Sequence, residues 1–531
     1  MLPLVNALAL AVPAPRARVA LAVPELATTL PNILMILSDD HGHTDLGITG
    51  IDAHVDTPVL DDLAAKGARF EFGYSTAPQC VPSRAGLLSG RNQATFGLYM
   101  NDADAGYGKA VLPPREKVMT IAEHLKDAGH GYVTGMSGKW HLGGVQDGVV
   151  EHPGDRGFDE FMEGLVGSFT CNVDAHGVVA KARTVVNGSN RIDISADFAE
   201  RFVARHRNDR FFYYWAPFGP HEPMLEDGDP YLTAFPKPHY AWYLPEENDR
   251  RHRALALVKA IDTRLGGILE TLRQHALEES TLILFASDNG APLNLHFDAE
   301  QSRFTRLAGE VESYMGSENV PLRGAKGFLW EGGIRVPMFA YWKGSIPPGQ
   351  VITEPVTTLD LTATIARAAG VEIHEKYFEG QDLLPRLMGH EATVTRPGGV
   401  LRHFWTSKSG DSAVRSGDWK LRRCRSPHTE LAYLFNITAD PLELDNLVGR
   451  HQIAFDELTS LLDDWEADLP FAVSCLPAAD RGRRYVRTAA EPCNASCIDP
   501  RYVVEHSATC YPGEMEGLEL GELRRPGVRP R

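Results

Sequence analysis

The sequence lacks any long uninterrupted hydrophobic segment, which argues against a membrane-spanning protein. Its most apolar stretch, from Met1 to about Val23, is broken by three prolines and two arginines and makes a poor transmembrane span. No lysine or arginine precedes this stretch, so it also departs from a conventional secretory signal. We interpret residues 1–28 as a signal or other N-terminal segment, which predicts an exported chain, periplasmic or secreted, with no membrane span.

Positive charge is also scarce. The 531 residues contain 53 lysines and arginines against 70 aspartates and glutamates, giving a formal net charge of -17. This balance argues against nucleic acid as a partner, and an anionic substrate would need a locally positive pocket. The length and the 43% of hydrophobic residues predict one large domain followed by a smaller one.

Cysteine is rare, with seven residues in the chain. Cys80 stands alone and precedes Pro82 and Ser83 at the start of a short apolar helix. A lone cysteine is more often a small buried thiol than a reactive group, so its meaning depends on its surroundings. Four others have irregular spacings, which favour two disulfides in an oxidising compartment over a zinc site. These four are Cys475, Cys493, Cys497 and Cys510.

Short apolar segments alternate with amphipathic helical ones, which predicts an α/β fold with a largely parallel sheet. Beyond about residue 390, shorter strands and one helix predict a small antiparallel sheet with a helix packed on it. The predicted strands cover residues 32–38, 132–136, 211–215, 282–286, 336–342, 412–415, 419–422 and 431–436, and the predicted helices cover 58–67, 80–90, 116–128, 249–275, 358–369 and 455–465.

Four of the predicted strands end in polar side chains that can bind a ligand. Because ligands of open α/β sheets lie beyond the carboxyl ends of the strands, these side chains are expected to converge. In chain order they are Asp39 and Asp40, Lys139 and His141, His221, and Asp288 and Asn289.

Each of these clusters also has a simpler interpretation. An acidic pair can cap the next element, Asn289-Gly290 is a hairpin signal, and lysines such as Lys326 are usually solvated. Together, however, three carboxylates and an amide oxygen suit calcium or magnesium rather than zinc. A cation, two lysines, two histidines and an arginine around Cys80 would suit a tetrahedral anionic ester.

Residues 80–90 (CVPSRAGLLSG) fit the pattern C-x-P-S-R-x-x-L-L-x-G, and in this the chain resembles the type I sulfatases. In that family the cysteine is oxidised after translation to Cα-formylglycine. The resemblance covers most of the chain up to about residue 450. Other matching segments are 139–143 (KWHLG), 156–159 (RGFD), 287–290 (SDNG), 331–335 (EGGIR), Asp440-Pro441 and Asn446-Leu447.

The resemblance implies an alkaline-phosphatase-like α/β fold. Its large mixed, mostly parallel sheet would be sandwiched by helices and followed by a smaller C-terminal antiparallel sheet plus helix. The expected divisions are an N-terminal segment at 1–28, a catalytic domain at 29–390, a small α+β subdomain at 391–469, and an irregular cysteine-containing tail at 470–531.

The resemblance also implies a nucleophile and a metal ion. Hydrated formylglycine is a geminal diol, of which one hydroxyl attacks sulfur while the other remains available to expel sulfate. One calcium ion, or alternatively magnesium, would be bound by the modified Cys80 together with Asp39, Asp40, Asp288 and Asn289. The other implied roles are to hold the diol (Arg84 and Lys139), to accept a proton when the intermediate collapses (His141), and to bind sulfate and assist the departing alcohol (His221 and Lys326).

The leading hypothesis is therefore a sulfuric ester hydrolase that acts on an organic sulfate, and a sulfated carbohydrate is the expected substrate. The enzyme would depend on a formylglycine-generating maturation enzyme. A phosphonate monoester or phosphodiester hydrolase is the alternative, because related enzymes share the signature and the metal ligands. A third hypothesis is a catalytically silent, calcium-dependent module that binds sulfated glycans. Substrate choice is expected to depend on segments outside the motifs, chiefly residues 294–319 and the tail.

Overall fold

A computed structural model describes residues 30–101, 112–143, 145–146, 149–150, 152–164, 168–174, 178–186, 190–240, 243, 245–292, 316–396, 401–406, 411–426 and 429–470. The N-terminal segment, the tail with its four cysteines, and most of the segment expected to select substrate lie outside these residues.

A ten-stranded mixed sheet forms the centre of the fold, and its strand order is β13-β2-β12-β11-β1-β10-β4-β7-β8-β9. A four-stranded antiparallel sheet, β15 to β18, follows in the C-terminal part. The strands are β1 (Asn32–Ser38), β2 (Ala68–Phe70), β3 (Gly73–Tyr74), β4 (Tyr132–Gly138), β5 (Val145–Gln146), β6 (Val149–Val150), β7 (Glu160–Gly164), β8 (Ser168–Val173), β9 (Val179–Val186), β10 (Arg210–Ala216), β11 (Thr281–Ser287), β12 (Met338–Tyr341), β13 (Gln350–Ile352), β14 (Val356–Thr357), β15 (Arg402–Thr406), β16 (Ser412–Ser416), β17 (Trp419–Ser426) and β18 (Thr429–Asn436).

Helices cover both faces of the large sheet, as expected for an α/β fold. Within the described residues, no helix combines the length and the hydrophobicity needed to span a bilayer. The helices are α1 (Pro58–Lys66), α2 (Cys80–Ser89), α3 (Ile121–Asp127), α4 (Arg191–Arg205), α5 (Pro230–Ala234), α6 (Pro245–Gln274), α7 (Glu331–Ile334), α8 (Thr358–Ala368), α9 (Leu384–Leu387) and α10 (Gln452–Ala467).

The centre of the sheet has the parallel arrangement that the apolar segments predict. All seven residues of β1 are buried, and the strand pairs in parallel with β10 on one side and β11 on the other. β10 in turn pairs in parallel with β4. The four strands with polar ends are therefore neighbours in the order β11-β1-β10-β4, and their carboxyl ends meet at one edge of the sheet.

The structure corrects the sequence interpretation in several places. The helix predicted from residue 116 begins at Ile121, because Thr120 and Glu123 form a capping box at its start. The strand predicted at 336–342 is shorter and runs antiparallel to β11. Strands β7 to β9 and helix α4 were not predicted, although α4 buries Ile192, Ala196, Ala199 and Val203 at helical spacing.

Helix α2 is buried along its whole length. It is closely packed at Gly86, where a Cβ atom would lie 2.3 Å from Thr76 Oγ1 and 2.8 Å from Gln93 Oε1. The helix ends at Gly90, which has the left-handed φ of 67° that glycine tolerates best. This packing fixes the position of Cys80 at the first residue of α2.

A buried cluster of charges joins the C-terminal sheet to the segment before β12. Lys420 Nζ, on β17, lies 2.8 Å from Glu331 Oε1 and 2.8 Å from Glu443 Oε1, and all three side chains are fully buried. Tyr74 Oη donates to the second oxygen of Glu331 at 2.6 Å. The nearby Cys424 is disulfide-bonded, a role the sequence did not assign to it.

We predict that Lys420→Met destabilises the fold by about 3–5 kcal/mol, because it removes the cation that lies 2.8 Å from both buried carboxylates. The measurement is the urea unfolding midpoint. Lys66→Met is the matched control, because Lys66 pairs with Asp62 at the exposed surface and its loss should leave the midpoint nearly unchanged. Equal midpoints for the two variants would contradict the prediction.

Candidate active site

The acidic pair after β1 is held in an unusual backbone conformation. Asp40 has a φ of 60°, in the left-handed region that aspartate enters more readily than most residues. Its N–H donates to Asp288 Oδ1 at 3.1 Å, and the N–H of Asp288 donates to the Ser38 carbonyl at 3.1 Å. The ends of β1 and β11 are thus tied together, which brings three carboxylates to one point.

Each of these buried carboxylates contacts its own cationic side chain. The cations come from α2, from the loop after β4 and from the segment before α7. The pairs are Asp39 with Lys139 (Nζ 2.7 Å from both carboxylate oxygens), Asp40 with Lys326 (2.8 Å), and Asp288 with Arg84 (Nε at 3.0 Å and Nη2 at 2.7 Å from Oδ2).

The cations determine the charge state of the acidic pair. Burial alone would raise the pKa of Asp39, but Lys139, His221 and Arg84 together hold it well below its usual value. The pKa of Asp40 is lowered as well, because Lys326 and His221 outweigh its burial. Both carboxylates are therefore ionised at neutral pH.

Cys80 lies beside the two ionised carboxylates. Its Sγ is 3.6 Å from Asp39 Oδ1 and 3.8 Å from Asp40 Oδ1, and the residue is fully buried. Burial and the charge of Asp288 raise the pKa of the thiol, although Lys139 and Lys326 act in the opposite direction. Reactive cysteines have lowered pKa values, so this thiol is a poor nucleophile.

Two histidines complete the cluster. His221 Nε2 is 3.6 Å from Asp40 Oδ2, and its main-chain N–H donates to the Asp39 carbonyl at 3.2 Å. Burial lowers the pKa of His141 to about 2, with Lys139 and Arg84 contributing, so its ring is neutral at physiological pH. Its Nδ1 is buried and has no hydrogen-bond partner within the described part of the chain.

The cluster contains side chains that could hold a metal ion. One ligand atom from each of Asp39, Asp40, Cys80 and His221 lies within 4.8 Å of the others. Asn289 donates from Nδ2 to Asp40 Oδ1 at 2.7 Å, while its own Oδ1 is buried and unpaired among the residues described. Carboxylate and amide oxygens suit calcium or magnesium better than zinc.

The structure places the ten residues singled out in the sequence around this one point, although they come from six separate segments. Arg84 also donates through Nη1 to the Lys139 carbonyl at 3.0 Å and to Tyr214 Oη at 3.4 Å. Sequence reasoning missed Tyr214, because it lies inside the apolar strand β10 rather than at its end. His41, the residue after the acidic pair, is buried, and its Nε2 lies 2.7 Å from the Asp45 carbonyl.

Comparisons with known proteins identify the family of the chain. Residues 31–371 match the family model described as sulfatase, and residues 325–466 match that of N-sulphoglucosamine sulphohydrolase, C-terminal. The chain is 30% identical over 465 residues to N-acetylgalactosamine-6-sulfatase of Canis lupus familiaris, covering 78% of this chain and 81% of that relative. It is 31% identical over 447 residues to arylsulfatase A of Bos taurus, covering 80% of each chain.

A solved structure, Ps i-CgsB in complex with k-i-k-neocarrahexaose, is similar with a TM-score of 0.66 and 27% identity, covering 83% of this chain and 94% of that one. Fold and site together define a hydrolase with an alkaline-phosphatase-like α/β fold. The chain belongs to the sulfatase family. It is an enzyme, and its reaction class is the hydrolysis of sulfate esters.

We predict that residue 80, while it remains cysteine, resists alkylation in the folded protein because its thiol is buried and protonated. The protein is made without a maturation enzyme and treated with iodoacetamide at pH 8, before and after unfolding in urea, and labelling is read by peptide mass spectrometry. Ser280→Cys supplies an exposed reference thiol. Labelling of native Cys80 as fast as this reference would show that the site is open.

Proposed function

We propose that this enzyme removes sulfate from a sulfated carbohydrate, with residue 80 converted to Cα-formylglycine and one divalent cation bound beside it. The observation that carries the proposal is the environment of Cys80, which is fully buried between two ionised carboxylates and unsuited to thiolate chemistry. The names of two similar proteins, N-acetylgalactosamine-6-sulfatase and a structure bound to k-i-k-neocarrahexaose, support a carbohydrate substrate.

In the proposed form of residue 80, the sulfur of Cys80 marks the position of the aldehyde-hydrate oxygens. The hydrate supplies two hydroxyls on one carbon, one as the nucleophile toward sulfur and one as the route by which sulfate is later expelled. A cysteine thiol offers only one such route. The buried end of α2 holds this group rigidly and adds the partial positive charge of a helix N-terminus.

Asp39, Asp40, Asp288 and Asn289 would hold the cation together with residue 80. We propose calcium, which accepts many oxygen ligands in flexible geometry, with magnesium as the alternative. The bound ion would supply Lewis-acid polarisation of the oxygens it contacts. The unpaired Oδ1 of Asn289 supports this assignment, because a buried acceptor without a partner is costly.

The cationic side chains have separate tasks in this proposal. Lys139 neutralises Asp39 next to residue 80 and helps to hold its hydroxyls. Arg84 takes part by fixing Asp288 and the main chain of Lys139. Asp40 outweighs burial and raises the pKa of Lys326, so this lysine stays charged and suits the binding of sulfate oxygens.

The two histidines are assigned to proton transfer. His141 is assigned the proton released when the covalent ester collapses, because its buried Nδ1 has no hydrogen-bond partner within the described part of the chain. His221 Nδ1 faces the Glu222 carbonyl at 2.9 Å, so Nε2 is the atom left to exchange a proton with the departing alcohol. Sulfate binding by His221 and Lys326 would place that alcohol at the mouth of the site.

The alternative hypotheses have less support. A phosphonate monoester or phosphodiester hydrolase would use the same site, but the relatives at about 30% identity are named as sulfatases. A silent glycan-binding module does not account for an assembled set of proton-transfer residues in a family of enzymes. We also propose export, because a disulfide such as that of Cys424 is typical of oxidising compartments.

We propose a catalytic domain at residues 29–390 and a C-terminal subdomain at 391–469. The sheet topology supports this division, since β15 to β18 form a separate sheet and pair only with one another among the described strands. Helix α10 packs on them through Leu458 and Leu462.

We predict that protein coexpressed with a formylglycine-generating enzyme releases free sulfate from members of a panel of defined sulfated saccharides and from an aryl sulfate. Cys80→Ala should lower turnover by about 10⁶-fold, as expected for loss of a nucleophile. Sulfate is measured by ion chromatography, and the peptide containing residue 80 is weighed to detect replacement of sulfur by oxygen. Full activity with an unmodified thiol would refute the mechanism. Faster cleavage of a matched phosphonate monoester would favour the alternative.

We predict that the purified protein contains about one calcium ion per chain, and that Asn289→Ala contains less, because it loses one oxygen ligand. Elemental analysis gives the stoichiometry, and chelation should lower the thermal midpoint of the wild type more than that of the variant. Asn172→Ala is the control, since Asn172 is also buried but bonds the Phe161 N–H and lies outside the cluster. Equal metal content in both variants would count against the ligand assignment.

A further inference from the structure

Arg191 is a buried arginine that hydrogen bonds to main-chain carbonyls instead of a carboxylate. It is the first residue of α4 and only 8% exposed. Nη1 donates to the Glu222 carbonyl at 2.8 Å, and Nη2 donates to the Pro223 carbonyl at 2.8 Å and to the His221 carbonyl. One guanidinium thus binds three successive carbonyls, and no carboxylate among the described residues lies within ion-pair distance of it.

The three carbonyls belong to the loop that carries His221. On its other side, this loop is tied to the end of β1: Asp39 N–H donates to the Gly219 carbonyl at 2.9 Å, and His221 N–H donates to the Asp39 carbonyl at 3.2 Å. The side chains of Glu222 and Pro223 are exposed and give the loop little packing. Arg191 is therefore its main support on the side away from β1.

The same guanidinium contacts the group that orients the imidazole. His221 Nδ1 is 2.9 Å from the Glu222 carbonyl, and because a carbonyl only accepts, Nδ1 carries the hydrogen. Arg191 holds this carbonyl in place from its other side. The ring is thereby turned so that Nε2 points into the site, 3.6 Å from Asp40 Oδ2.

The position of Arg191 is itself fixed by its neighbours. Asn190 caps α4 by accepting from the Ile192 N–H at 2.9 Å, and Ile192 is fully buried in the core. The guanidinium also lies over the Phe218 ring, 5.4 Å from its centroid. Burial lowers the pKa of Arg191 to about 10, which leaves it charged at neutral pH.

We propose that Arg191 is a positioning residue for His221, which it orients by fixing the carbonyls of residues 221–223. The proposal rests on the function given above, in which His221 assists the departing alcohol. Arg191 lies outside the sequence motifs that match the family pattern, and it touches neither the metal ligands nor residue 80 among the contacts described.

The test uses a series of aryl sulfates that differ in the pKa of the phenol. Protonation of the departing oxygen by a general acid matters most for poor leaving groups. A misplaced His221 should therefore steepen the dependence of kcat/KM on leaving-group pKa. For Arg191→Gln we expect kcat/KM to fall by about tenfold to a hundredfold with the poorest leaving group and by about twofold with the best. These losses are part of the rate enhancement of about 10²–10⁴-fold that a positioned general acid supplies. Arg191→Lys should fall between Arg191→Gln and the wild type.

Two comparisons separate positioning from a merely structural effect. His221→Gln should steepen the dependence in the same way, and adding Arg191→Gln to it should cost little more. Arg205→Gln, at the other end of α4 and paired with Glu160, is the control and should leave the slope unchanged. Uniform losses over all leaving groups, full additivity with His221→Gln, or no effect of Arg191→Gln would each overturn the proposal.

A readout without turnover separates this proposal from the proposed function. Nitrogen-15 NMR of the imidazoles, with the His221 signal assigned from His221→Gln, should show Nδ1 protonated in the wild type and a mixture of tautomers in Arg191→Gln. An unchanged His221 signal would refute positioning. A wild type that carries formylglycine yet releases no sulfate would instead refute the proposed function, while the NMR result still decides the role of Arg191.

Discussion

Three carboxylates are buried at one edge of the central sheet, and each requires a cation, because an unpaired buried charge costs several kcal/mol. This requirement connects distant parts of the chain. Arg84 arrives on α2, Lys139 on the loop after β4, and Lys326 on the segment before α7. The charges that would bind sulfate are therefore the same charges that hold the strand ends together, so site and fold cannot be altered independently.

The small C-terminal sheet is also connected to this edge. Lys420 binds Glu331 at the start of α7, and the adjoining main chain lies against the end of β11: a Cβ on Gly290 would be 1.8 Å from the Gly332 carbonyl. Lys326 N–H donates to the Ala291 carbonyl at 2.9 Å, in the same region. The buried charges of the C-terminal part thus support the main chain that presents Asn289 and Lys326.

Sequence reasoning was most successful where the physical signal was local. The short, nearly continuous apolar run at residues 32–38 predicts β1. Polar side chains that follow such strands are predicted at the sheet edge, since parallel strands present their carboxyl ends together. Lys326 taken alone suited a solvated lysine and was assigned to the site through the family resemblance; its ammonium lies 2.8 Å from Asp40 Oδ2. Sequence reasoning failed where the cause was wholly tertiary. The three carbonyls bound by Arg191 are 30 to 32 residues away in sequence and leave no local pattern.

Residue 80 is fully enclosed once α2 has packed, with Gly86 fitted against Thr76 and Gln93. Any enzyme that converts its side chain must therefore reach it before the helix is in place. If conversion occurs as proposed, each molecule has a single opportunity, and a chain that folds first keeps its thiol for its lifetime. A purified sample would then be a fixed mixture of converted and unconverted molecules with the same fold. Its specific activity would record the relative rates of modification and folding during synthesis.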